Sequence, residues 1–236
     1  MNKNFAIINY NTQDLTEHCI MSVNKFVDDA RIFVFDNSDK DAFVNKFDNV
    51  TVFDNTSGKI IDFDKFLSRY NYKNRSAGRR NGWASAKHAY TIEKLIEMMD
   101  EPFILLDSDV LLKKDASDLF DDKLLYCGEV ICQPNSTIKR VLPYICFINV
   151  PMCKKHRIHY FNEKFMHGLC YGGKGSSDRY DTGAWFYSCT LKYPRREIRY
   201  DDYIVHYHPG SWVSSTWEKK ETTSGEFIEA NREYWS

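Results

Sequence analysis

The chain has 236 residues, of which 43% are hydrophobic and 28% charged, with a formal net charge of −1. This fits one large domain, or a domain with a small appendage, and predicts a globular chain with a substantial core and not a disordered one. The near-neutral balance gives no global reason to expect a nucleic-acid partner.

FAIINYN (5–11) predicts a buried strand. Its apolar run is too short for a signal peptide, and no segment approaches the roughly 18 apolar residues of a membrane span. That favours the cytoplasm and leaves peripheral membrane association open. Thr12 is positioned to cap a helix whose apolar residues Leu15, Cys19, Val23 and Phe26 share one face. RIFVFDNS (31–38) predicts a second strand and VTVFDN (50–55) a third. The pattern blurs over 56–81, which turns basic at its end. A helix follows at about 82–99, with Ala89, Ile92, Leu95, Ile96 and Met99 on one face, and then the strand of FILLDSD.

This order is the rhythm of an α/β doubly wound half. In open sheets of that kind, ligands bind beyond the carboxyl ends of the strands. Three of these ends carry acids or amides: Asn9 with Asn11, Asp36 with Asn37, and Asp107 with Asp109.

The second half predicts strands at 123–133 and 141–151, and a helix over 181–193 capped by Asp181. A strand over 198–208 ends in His206 and His208, and a short amphipathic helix lies in EFIEANREYWS. GLCYGGKGSS (168–177) lacks the ending and the strand–helix setting of a phosphate loop and predicts a mobile loop. The seven cysteines are scattered, odd in number and without CxxC spacing. They predict free thiols in a reducing compartment and no structural zinc.

FILLDSDVLL (103–112) carries the sharpest chemical signal. Along a strand, Asp107 and Asp109 point to the same side. Two such carboxylates repel unless a cation lies between them or one is protonated. Hard oxygen ligands suit Mg²⁺ or Mn²⁺. The plain alternative is a strand that ends in Asp-Ser turn chemistry with Asp109 exposed.

Four segments in this order resemble the nucleotide-sugar glycosyltransferases of the GT-A fold, nearest to the family 2-like group: FAIINYNT, RIFVFDNSDKD, NGWASAKHAY and FILLDSDVLL. They cover about residues 4–115. Beyond 150 the likeness rests on YDTG and HYHPGSW. The resemblance implies a Rossmann-like, mixed but mostly parallel sheet flanked by helices, in a single domain. Its nucleotide-binding half would be 1–115 and its acceptor-binding half 116–236. It implies a nucleotide-sugar donor, with UDP favoured, and transfer to a glycan, lipid-linked or other hydroxyl acceptor, in a bacterial-type surface polysaccharide or glycoconjugate pathway.

The resemblance also implies roles. Asp109 would ligate Mn²⁺ or Mg²⁺, with Asp107 on the ribose or on the metal through water. Asp36 would contact the base or ribose. Asn9, Asn11 and Thr12 would line the nucleoside pocket, and Arg79 and Lys87 would reach phosphate or sugar. A histidine on the last strand would complete the metal site, His206 being preferred to His208 by its offset from Ser211-Trp212. Asp181 would be the base that takes the acceptor's proton, with Asp178 as runner-up. RYDTG departs from the family pattern in having one acid where a pair is usual, which leaves base and stereochemical outcome open. Two other readings remain: a nucleotidyltransferase, against which the absence of Gly, Lys or Arg in NYNTQDLTEH argues, and a non-catalytic nucleotide- or sugar-binding module.

Overall fold

Strand β1 (Asn4–Asn9) lies between β2 (Arg31–Asp36) and β4 (Phe103–Asp107) and runs parallel to both. Its six residues are all buried, which is why the sequence shows an almost unbroken apolar run there. This computed structural model describes residues 2–68, 77–132, 137–162, 181–207 and 222–236, with side chains described outside 66–84. β3 (Val50–Asp54) joins β2 in parallel. On the other flank β7 (Lys139–Ile148) runs antiparallel to β4, β6 (Tyr126–Cys132) antiparallel to β7, and β8 (Arg195–Glu197) parallel to β6. The result is a mixed, mostly parallel seven-stranded sheet in the order β3-β2-β1-β4-β7-β6-β8.

The period of two along the central strands divides the core between two helices. Phe5 and Ile7 of β1 and Ile104 and Leu106 of β4 pack with Cys19, Ile20 and Val23 of α1 (Gln13–Phe26). Ala6, Ile8, Phe103 and Leu105 point the other way, onto Ala89, Ile92, Leu95 and Ile96 of α3 (Ala77–Met98). Each fully buried aliphatic side chain contributes about 1.5–3 kcal/mol to this sandwich. Shorter helices are α2 (Phe63–Ser68), α4 (Val150–His156), α5 (Ala184–Thr190) and α6 (Ser224–Ala230).

The strand order reverses between β1 and β4, so their carboxyl ends flank a crevice. There β4 stops at Asp107, and Ser108-Asp109 turn the chain into β5 (Val110–Leu112). β5 leaves the main sheet and pairs antiparallel with β9 (Ile204–His206).

Several expected boundaries move. The helix expected at 82–99 begins earlier, at Ala77. Thr12 does occupy the N-cap of α1, but its side chain makes no capping bond and turns to other partners. Asp181 does not cap a helix reaching 193. α5 begins after Gly183, whose φ of 85° and close approach to β7 delay the helical turn. The long strand expected at 198–208 is a 3-10 turn, Tyr200–Asp202, followed by the three residues of β9. β5, β8, α2 and α4 have no counterpart among the sequence expectations. The 168–177 loop, Asp178, His208, Ser211 and Trp212 lie outside the described residues. Among the described residues, six cysteines are free, and no helix is long and apolar enough to cross a membrane.

Candidate active site

The two-stranded ladder decides what meets at the crevice. Val110 pairs with His206 across β5 and β9, and the Tyr207 N–H donates to the Asp109 carbonyl at 2.9 Å. His206 Nε2 thereby comes within 3.3 Å of Asp109 Oδ1, with side chains only 4% and 5% exposed. One ligating atom each from Asp107, Asp109 and His206 lies within 4.8 Å of the others. The carboxylates converge because a turn follows Asp107, not because both lie on one strand.

Aromatic rings brace the histidine. The Tyr144 ring lies 4.0 Å from that of His206, and Tyr200 meets Tyr144 edge-on at 5.4 Å. Burial, with the charges of Asp107 and Asp109, pushes the Tyr144 phenol up to about 12. Burial also pushes the Asp107 carboxyl above the usual carboxylate range. Asp109 adds to that push, and His88, His206 and Arg140 partly offset it. Like charges at this spacing favour a proton or a cation.

The residues expected around the nucleoside divide into two groups. Asn9 and Asp36 are buried joints. Asn9 Nδ2 donates to Asp36 Oδ1 and Ser38 Oγ, while Asn9 Oδ1 accepts from the Thr12 N–H and the Thr16 hydroxyl. Asp36 also accepts from the Ser38 N–H and hydroxyl and from the Phe43 N–H. Its carboxylate is occupied by the protein, so it scaffolds the loop after β2 and offers no open face to the crevice.

Asn11 and Thr12 remain at the surface of the crevice. Asn11 holds φ at 56°, and its side chain exchanges hydrogen bonds with Asp39. The Thr12 hydroxyl lies 3.0 Å from Ser108 Oγ and so ties the start of α1 to the Asp107–Asp109 turn. A cavity of about 290 Å³ opens here, lined by Asn11, Thr12, Gln13, Asp14, Leu15, Tyr207 and Ser224.

Lys87 is half-buried, its ammonium 4.9 Å from the Phe63 ring centre and 5.2 Å from that of Tyr10. Burial lowers its pKa, which Asp39 and Asp64 partly offset. Arg79 belongs to α3, with its side chain outside the description.

Asp181 stands on a tight corner against β7. Its Oδ2 pairs with Arg140 Nη1 at 2.7 Å, and its Oδ1 accepts from the Thr182 N–H. Thr182 donates to the Ser85 carbonyl of α3. A Cβ on Gly183 would sit 2.0 Å from the Val141 carbonyl oxygen, so only glycine lets the corner approach β7 this closely. Arg140 acts electrostatically on Asp107 and pairs with Asp181, placing it between the two acids. Sequence reasoning passed over Ser108, His88, Arg140 and Tyr144. Ser108 stood inside FILLDSDVLL and His88 inside NGWASAKHAY, while Arg140 and Tyr144 stood in no motif.

No family model matches this chain, and no curated protein matches it in sequence. Its fold is nevertheless that of the GT-A glycosyltransferases. It is similar to the galactosyltransferase LgtC in complex with donor and acceptor sugar analogues, with a TM-score of 0.53 and 12% identity over 83% of this chain and 73% of that one. It is also similar to mouse xyloside xylosyltransferase 1 in its apo form, with a TM-score of 0.50 and 9% identity over 84% and 85% of the two chains.

Proposed function

We propose that the chain is a metal-dependent glycosyltransferase that moves a sugar from a nucleotide-sugar donor, UDP-sugar favoured, to a glycan or other hydroxyl acceptor in surface polysaccharide or glycoconjugate synthesis. The observation that carries this reading is the Asp107–Asp109–His206 cluster at the carboxyl end of β4, beside the α1 cavity. Two carboxylates and an imidazole suit Mn²⁺, and the carboxylates suit Mg²⁺. The fit is supported by Asp107 Oδ1, a buried oxygen that makes no hydrogen bond. A cation here would neutralise the diphosphate as it leaves with its nucleoside.

The chain's own residues then have distinct work. Asn11, Thr12 and the first turn of α1 offer polar groups to the nucleotide from the 1–115 half. Lys87 supplies a positive charge beside Tyr10. Asp181, from the acceptor half at 116–236, is the carboxylate we assign to the acceptor hydroxyl's proton. Its Oδ2 is engaged by Arg140, so proton transfer to that oxygen requires the contact to loosen.

Thermal shift with UDP, GDP, CMP and TDP, each with and without Mn²⁺, tests the reading. A donor nucleotide should raise the melting temperature more with the metal than without it. No shift with any nucleotide in either condition would remove the donor site, and a shift indifferent to Mn²⁺ would remove the metal.

A further inference from the structure

His88 lies on α3, and its Nε2 is 3.3 Å from Asp107 Oδ1. Both atoms are shut off from solvent, and neither completes a hydrogen bond. The two side chains are 24% and 14% exposed. Leaving a buried polar atom unsatisfied is costly, and here two such atoms stand 3.3 Å apart without completing a bond. The same face of the helix is fixed one turn later. The Thr91 hydroxyl donates to the Lys87 carbonyl and accepts from Asn37 Nδ2, beyond the end of β2. His88 is therefore carried on a stretch of helix tied to the sheet. It lies outside the Asp107–Asp109–His206 cluster and touches it through Asp107.

Building on the metal reading above, we propose that His88 is a positioning residue. Its Nε2–H holds the Asp107 carboxylate from the α3 side so that Asp107 faces Asp109 and His206. A donor that orients a metal-binding carboxylate raises affinity without touching the ion. The arrangement also explains why the two orphaned atoms are left opposite each other. A small rotation of Asp107 toward a cation aligns its oxygen with the ring N–H and satisfies both.

The test is Mn²⁺ binding by the full chain, followed by electron paramagnetic resonance and calorimetry with no donor and no turnover. Melting temperatures in chelator report the fold separately. His88→Phe keeps a ring but removes the donor, and should weaken Mn²⁺ binding by about 10–100-fold. His88→Gln keeps an N–H near the same place and should stay within about threefold of wild type. Should His88→Phe not fold, His88→Leu, smaller and equally without a donor, carries the same expectation. Wild-type affinity in a folded donor-free variant overturns the proposal, as does a His88→Gln as weak as His88→Phe. Failure of the wild type itself to bind Mn²⁺ overturns the metal reading and this proposal with it. That result is distinct from the first, in which the wild type still binds.

Discussion

Asp109 and His206 are brought within 3.3 Å of each other across a backbone ladder. The Val110–His206 pairing and the Tyr207 N–H to Asp109 carbonyl bond would both survive loss of either side chain. The site can therefore be taken apart chemically with its frame left standing.

Asp109→Ala should leave the protein folded and abolish the Mn²⁺-dependent part of UDP binding. Calorimetry with UDP, with and without Mn²⁺, measures this. Metal-enhanced affinity that persists in the folded variant would show that the carboxylate is not a ligand.

Asp107→Asn should stabilise the metal-free protein at neutral pH and weaken Mn²⁺ binding. Burial, reinforced by Asp109, raises the Asp107 carboxyl above its ordinary value of 3.8. The folded state thus holds this proton more tightly than the unfolded one. The stability that this one group contributes is fully present below the ordinary value and is lost as pH rises through its folded pKa. Urea unfolding in chelator from pH 4 upward should show wild-type stability falling relative to that of Asp107→Asn. Parallel curves would mean that the two carboxylates do not strain the apo fold.

Asp36→Ala should destabilise the fold by about 3 kcal/mol or more, because it strands several buried donors at once. Those donors are the Phe43 N–H, Asn9 Nδ2 and the Ser38 N–H and hydroxyl. Nucleotide binding should weaken along with stability. Denaturant unfolding distinguishes this from a direct contact, since a variant with wild-type stability but poor UDP binding would place Asp36 on the nucleoside.

Gly183→Ala should be severely destabilising, through both its positive φ and the 2.0 Å approach to the Val141 oxygen. The backbone conformation alone costs about 1–3 kcal/mol. Gly225→Ala, with nothing near its Cβ and a helical position in α6, should be neutral or stabilising by up to about 1 kcal/mol. Thermal melts of the pair provide the comparison, and similar melting temperatures would contradict the close packing of the Asp181 corner on β7.

The central strands were legible because burial on both faces leaves an apolar run that few other structures produce. α1 was legible from the spacing of Leu15, Cys19 and Val23. β5 was hidden because Val110–Leu112 continues the apolar character of β4; Asp-Ser turn chemistry marked a possible end of β4 but not the change of sheet that follows it. α4 left a readable trace that went unused: Asn149 accepts from the Met152 N–H, and Pro151 sits in the first turn. The meeting of Asp109 and His206 was expected from the family resemblance. The internal occupation of Asp36 could not be anticipated, since its partners Asn9 and Phe43 are set by tertiary approach. Arg140 gave no signal for the same reason, and His88, though inside NGWASAKHAY, is joined to Asp107 only by tertiary approach.

Asn9 has a bearing on how variants of this protein should be sorted. Its amide joins β1, the loop after β2 and the start of α1 in one small knot. A screen for lost activity would recover substitutions at Asn9 beside those in the acidic cluster, and activity alone would class them together. Soluble yield and protease resistance would separate them. Asn9 variants should be scarce and easily digested, while variants at Asp109 should accumulate as intact, inactive protein.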